Sequence, residues 1–300
     1  MNSVLVKESL RKFSEVFSFN YPAVGWYFSS EEMEDSFIFR KDKWVCMFMY
    51  LKMMMKKNKK VRFSDDNNRA CTGPAEYFGF TELEDDGGVF LAEIERFCKD
   101  IEISKAYTRW SATLIHPPKG KYLYMEKLED IDDRREIEVA NLFPANMTSL
   151  AKLVTLSSYD RMANTDNVLI PDASGCQSIF TTPYHEKFQE NPKCIIGLMD
   201  PMARNFVPED MILFSMPTNR FVEMANNIEG SFLDKNFKNP EKVKDIGNKK
   251  VKRHGLHFSG LCKKHFFVLH HLRQSSPSVW DRSELPKPFD QSVLTPHDCL

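Results

Sequence analysis

No stretch of this 300-residue chain approaches the roughly 18 consecutive apolar residues that a membrane-spanning helix needs, so a membrane partner is not expected. The opening residues, Met1 to Leu10, lack a long apolar core between a basic head and a small-residue cleavage site, and secretion is not indicated. Net charge is also missing. Lys and Arg total 41 against 42 Asp and Glu, so the whole chain has no field that would draw nucleic acid, and any such binding would need a local patch. The glycine fingerprint of dinucleotide-binding folds and the phosphate loop of nucleoside triphosphatases are both absent. The seven cysteines, Cys46, Cys71, Cys98, Cys176, Cys194, Cys262 and Cys299, are odd in number and scattered, unlike a disulfide framework. Reduced thiols in a cytoplasmic protein are the expectation.

What is present supports a folded body. Hydrophobic residues make up 42% of the chain, enough to bury a core as one large domain or as two halves sharing an interface. Val6, Leu10, Phe13 and Phe17 fall on one face of an opening helix with Ser3 as its cap. Residues 23–28 read as a strand. Trp44, Phe48, Leu51 and Met55 mark a second helix that runs out in Lys56, Lys57, Lys59 and Lys60, where lysines favour the negative end of the dipole. Phe90, Ile94, Phe97 and Ile101 predict a third helix, opened by Gly87-Gly88. Further on, strands are predicted over 122–128, 137–143, 168–170, 194–197 and 211–214, with helices over 147–159 and 221–228. Strands alternate with helices irregularly, and twice a strand follows a strand with no room for a crossover helix. The expected fold is therefore mixed α+β: a mixed sheet with covering helices, built as two related-looking halves, 1–118 and 119–240. Each half sets a cysteine-containing turn between a strand and a helix, although no periodic self-similarity is evident. After Pro240 the composition changes, and residues 241–300 read as a basic, His-containing tail.

Three segments carry candidate chemistry. Cys71-Thr72-Gly73-Pro74 places a thiol just before a helix start, where unpaired amides lower a thiol pKa; alternatively Cys71 is a small buried hydrophobe and Gly73-Pro74 only starts the helix. Ser174-Gly175-Cys176 follows a strand with a hydroxyl and open amides suited to an anion or a polar cofactor edge, or is an ordinary strand-to-helix turn. Asp200 and Arg204 lie beyond another buried strand, where they hold each other or where Arg204 faces a carboxylate or phosphate ligand. His116 and His185 are candidate bases if a thiol comes within reach, with a solvent-facing loop role as the alternative. In the tail, His254, His257, Cys262, His265, His270 and His271 are potential metal ligands without a standard zinc spacing, and Lys249 to Arg253 is a solvated basic run or a contact for an acidic partner.

Taken together, Val24-Gly25-Trp26-Tyr27-Phe28, Cys46, the Cys71-x-Gly-x-Ala-x-Tyr-x-Gly stretch, Ser174-Gly175-Cys176, Gly197 to Arg204 and Pro217 resemble the family called domain of unknown function 169, over roughly residues 10–235. The resemblance implies a prokaryote-type cytosolic protein and carries no established activity. Gly73-Pro74 departs from the glycine pair expected there, and the tail has no counterpart. The leading expectation is a small molecule or cofactor held between the halves by Cys71, Gly73, Gly175, Cys176, Asp200 and Arg204. The rivals are a redox enzyme binding iron, zinc or an iron-sulfur cluster through Cys46, Cys71 and Cys176, and a structural interaction protein. Whether the protein is an enzyme, which cofactor it takes and whether it forms a homo-oligomer are not set by these residues.

Overall fold

The computed structural model describes residues 1–38, 46–57, 59–65, 73–84, 86–161, 166–171, 175–201 and 203–234. Cys71, Ser174, Cys262, Cys299 and the tail candidates lie outside them. The chain divides between Lys238 and Asn239, and the unit described is Met1–Lys238.

Helix α1 (Ser3–Val16) buries Val6 and Phe13 fully, as the apolar spacing predicts. Its cap is one residue earlier than expected: the Asn2 side chain accepts the Val4 amide at 2.8 Å, while Ser3 already lies inside the helix. Strands β1 (Val24–Ser29) and β2 (Phe37–Ile38) precede α2 (Met47–Lys57), which ends on Lys56 and Lys57. Strand β3 (Val61–Phe63) and the short α3 (Gly73–Tyr77) follow, then α4 (Ile101–Thr113), β4 (Tyr122–Lys127) and β5 (Val139–Leu142). The remainder comprises α5 (Met147–Leu156), β6 (Val168–Leu169), a helical run over 175–186 ending in α6 (Thr182–Glu186), β7 (Cys194–Gly197), β8 (Leu213–Pro217) and α7 (Thr218–Asn226).

All eight strands join one sheet in the order β2-β3-β4-β1-β5-β8-β7-β6. Read from each edge inward, β2-β3-β4-β1 and β6-β7-β8-β5 are the same arrangement. In both sets the outermost pair is parallel and the rest antiparallel, and the sets join through antiparallel β1 and β5. Two related halves thus share a continuous sheet, about a pseudo-twofold axis at the Gly25–Ala140 pair. The first set is complete only with β4, so the repeat boundary falls in the 128–138 connection.

Period-2 alternation sends one row of side chains to each face. On one face Val24, Trp26, Phe63, Leu123, Met125 and Val139 pack under α2 and the 175–186 run. On the other, Tyr27, Tyr124, Leu142, Phe214 and Met216 pack under α1, α5 and α7. Trp26 is the hub of the first layer, with ring centroids 5.7 Å from Phe63, 5.4 Å from Phe78 and 5.2 Å from Phe180. Aromatic pairs at such spacings add about 0.5–1.5 kcal/mol each beyond area burial.

The helix expected over Phe90–Ile101 is corrected. Phe90–Ile94 is a single π-helical turn with no buried residue, and it stops at Glu95–Arg96, where Arg96 has φ 58°. The longer helix is α4, capped by Asp100, whose side chain accepts the Ile103 amide. Its apolar pattern misleads because its inner face buries Ser104 and Ser111 while Ile103 and Trp110 remain exposed.

Candidate functional site

Strands β6 and β7 run parallel, so their carboxyl ends open side by side, the position where open α/β sheets bind ligands. After β6 the chain enters the 175–186 run at Gly175. A Cβ there would sit 2.2 Å from the Phe48 ring, so only glycine lets this helix start directly against α2 of the other half. Cys176 follows, buried, immediately before a π-helical turn, Gln177–Thr181. Its counterpart across the pseudo-axis is Cys46, immediately before α2, and both belong to the same apolar cluster. The fold therefore brings Cys46, Gly175 and Cys176 to the junction of the halves.

The polar contacts around the turn come from neighbours. Gln177, fully buried, accepts the Tyr107 hydroxyl at 2.5 Å and donates to Ser111 Oγ at 2.9 Å, which ties α4 over the start of the run. Ser178 Oγ donates to the Gly175 carbonyl at 3.1 Å and accepts the Leu198 amide at 3.4 Å, which ties the run to the loop after β7.

Asp200 lies in that loop. Its Oδ1 accepts the Ala203 amide at 3.1 Å and its carbonyl accepts the Arg204 amide at 2.9 Å. The expected Asp200–Arg204 side-chain pair is not what links them. The Arg204 guanidinium donates to the Glu209 carbonyl, and its Nη1 is buried without a partner among the described residues. Gly73 opens α3, five residues that carry Phe78 into the Trp26 cluster. Beside it, Gly79 earns its place by geometry: φ is +80°, and a Cβ would meet the His116 carbonyl at 2.3 Å.

Glu95, which nothing in the sequence singles out, is the most perturbed acid here. Burial, then the nearby Asp200 charge, pushes its carboxyl up to about 7. Backbone strain gathers around this pair: among the described residues the non-glycine positions at positive φ are Arg96, beside Glu95, and Leu198, two residues before Asp200. Such conformations cost about 1–3 kcal/mol each and persist where surroundings impose them, frequently at functional sites. Both π-helical turns, Phe90–Ile94 and Gln177–Thr181, flank the same region.

A stability effect follows. A carboxyl whose folded pKa is raised contributes stability that is fully present below its unfolded value near 4.5 and lost as pH rises through about 7. Glu95→Gln removes that loss, so we expect the variant to be more stable than the parent by about 1 kcal/mol at pH 8, after discounting for partial exposure, and the gain to vanish at pH 4. Urea titrations at the two pH values check this.

His116 and His185 meet each other rather than a thiol: Nε2 of His116 lies 3.1 Å from Nδ1 of His185. The latter is on α6, not in a turn. Among the described residues no group of three or more His, Cys, Asp or Glu side chains is arranged to hold a metal. The metal role suggested for Cys46, Cys71 and Cys176 depends on Cys71, outside the described residues. Hollows of about 390 and 410 Å³ are lined elsewhere, one by Asp35, Lys60 and Glu126, the other by Phe17, Phe19 and Tyr21. No helix among the described residues is long and apolar enough to cross a membrane.

No curated protein and no solved structure matches the chain. A family model does match, over residues 12–227, from within α1 to just past α7 and across the site residues from Cys46 to Glu209, and the chain accordingly belongs to the uncharacterised ArCR family, domain of unknown function 169.

Proposed function

We propose that the protein binds a small polar molecule at the junction of its two halves, beyond the carboxyl ends of β6 and β7. Glu95 and Asp200 accept hydrogen bonds from amine or hydroxyl groups of the ligand, and the Gly175–Ser178 turn forms the floor. A cytoplasmic setting accords with this reading. The observation that carries it is the gathering of strain: Arg96 and Leu198, the two positive-φ side-chain-bearing residues described, bracket one carboxylate pair. Local strain and a half-buried carboxyl both oppose stability, and residues that do so in concert are characteristic of binding and catalytic sites.

A thermal-shift panel of small amines, amino acids and polyols, run on the parent chain and on Asp200→Asn, tests the proposal. The expected result is a compound that raises the parent midpoint by several degrees and loses most of that effect in the variant. A panel without effect on the parent, or equal shifts in both chains, would count against it.

The rival reading, a thiol- or metal-dependent redox enzyme, has one supporting observation, the placement of Cys46 and Cys176 at equivalent helix starts in one cluster. Metal analysis of protein purified without oxygen decides it: stoichiometric iron or zinc lost in Cys176→Ala supports the rival, and metal-free protein removes it.

A further inference from the structure

We propose that His116 and His185 form a two-histidine site for a divalent transition-metal ion such as Zn²⁺, with water completing the coordination. The rings come from positions 69 residues apart, one from the loop after α4 and one from α6. Their facing nitrogens are 3.1 Å apart. Two imidazole nitrogens at about 2.0–2.1 Å from one tetrahedral or octahedral ion stand roughly 3.0–3.4 Å from each other, so a modest turn of each ring admits the ion without moving the backbone.

The surroundings favour the neutral, ligating form. Burial lowers the pKa of both rings, and for His116 the neighbouring His185 lowers it further. The Gln189 amide nitrogen lies 2.9 Å from His185 Nε2, which places the ring proton on Nδ1 in the metal-free pair; an end-for-end turn of that amide presents its oxygen to Nε2–H and leaves the Nδ1 lone pair for the ion. Phe188 packs on His116 at 4.4 Å between centroids and shields one side of the ring. The nearby cations are engaged elsewhere: Lys119 and Lys187 both pair with Glu138, which is buried, and the Met1 ammonium donates to the Ile137 carbonyl. In the metal-free pair one N–H is shared between the facing nitrogens. On binding, that proton moves through water to the outer nitrogen of its own ring, so each imidazole stays neutral with one N–H, and acid reverses binding by protonating both rings.

The full-length protein is titrated with Zn²⁺ at pH 7.5 beside His116→Gln and His185→Gln. Histidines of the tail contribute equally to all three chains and cancel in the difference. The expected result is that the parent takes up about one equivalent more than either variant, and that the difference disappears at pH 5. In the parent itself, the Cε1–H resonances of His116 and His185 shift on Zn²⁺ addition, a readout independent of variant folding. Equal uptake by parent and folded variants, or unmoved resonances of these two rings, would overturn the site.

Discussion

Asn141→Leu is expected to lower the unfolding free energy by about 3–5 kcal/mol, although leucine is close in size and more apolar. Asn141 is fully buried at the centre of the sheet. Its Oδ1 accepts the Trp26 indole N–H at 2.6 Å, and its Nδ2 donates to the Ile179 carbonyl at 3.0 Å and Ser215 Oγ at 2.7 Å. The substitution leaves three buried groups without partners, each costing about 1–3 kcal/mol, offset in part by added apolar contact. The pseudo-twofold axis explains why this residue matters: Trp26 and Asn141 are equivalent positions, one step along β1 and β5 from the axial Gly25–Ala140 pair. The bond between them joins one half to the other, and the Ile179 carbonyl extends it to the 175–186 run that bears Cys176. Urea unfolding measures the effect. A loss below about 1 kcal/mol would mean that the network is not holding the halves together.

Arg220→Met is the second large effect, about 2–4 kcal/mol, and it carries a pH signature. Arg220 is 1% exposed, donates to both Asp160 oxygens at 2.7 and 2.8 Å, to Glu223 at 3.0 Å and to the Ser157 carbonyl at 2.9 Å. Methionine fills the volume but orphans the Ser157 carbonyl and strips the Asp160 carboxylate of its bidentate partner, leaving it the Asn227 amide at 2.7 Å. Asp160 is partly exposed and can rehydrate, which keeps the cost below that of a fully buried broken pair. The hydrogen bonds from Arg220 hold Asp160 down to about 2, against an ordinary value near 3.8. Because the folded pKa is depressed, the contribution is fully present above pH 3.8 and lost as pH falls through about 2. Screening at the exposed edge reduces it to about 1 kcal/mol. In the parent, stability should fall across that window, and in Arg220→Met this part of the acid limb should be missing. Unfolding midpoints between pH 2 and 5 check both halves of the statement.

The main body of the fold was legible where burial and periodicity agree. Val6 and Phe13 on α1, Phe48 and Leu51 on α2, and Leu150 and Leu153 on α5 all project a stripe that is buried. The two-residue strands β2 and β6 and the three-residue β3 stand at the limit of what alternation can mark; β2 and β6 each lie in a run of three apolar residues, Phe37-Ile38-Phe39 and Val168-Leu169-Ile170, and of these only β6 was read as a strand. Helix α4 was hidden because it buries serines, with Ser111 engaged by Gln177. A helix start after Ser174-Gly175-Cys176 was one of the expectations, but the extent of the 175–186 run was hidden by Pro183, which cannot donate within a helix and here sits just after the π-helical turn hands over to α6. The relation between halves was expected from their cysteine-containing turns, but no periodic self-similarity showed it because equivalent positions carry different residues, Trp26 against Asn141, while the topology repeats.

The site was legible only in part. Gly175 and Cys176 stood out as a small-residue turn, and the structure gives the glycine a steric reason in Phe48. Asp200 and Arg204 were singled out together, but of the two readings given for them the mutual side-chain pair is not what the structure shows, since Arg204 turns to the Glu209 carbonyl. Glu95 carries no local mark in an acid-rich stretch. Its perturbation arises from tertiary burial beside Asp200, and the left-handed conformations of Arg96 and Leu198 break the usual association of positive φ with glycine. The His116–His185 contact spans 69 residues, beyond any spacing rule.

The claim at the centre of this account is that the Glu95–Asp200 junction holds a small polar molecule. Native mass spectrometry of the freshly purified full-length protein, compared with Asp200→Asn prepared alongside, addresses it most directly. The account predicts a discrete adduct of small-molecule mass on the parent that is released on unfolding and depleted in the variant. Bare parent protein that also gains no adduct from the amine, amino-acid and polyol panel, or an adduct retained equally by the variant, would contradict it.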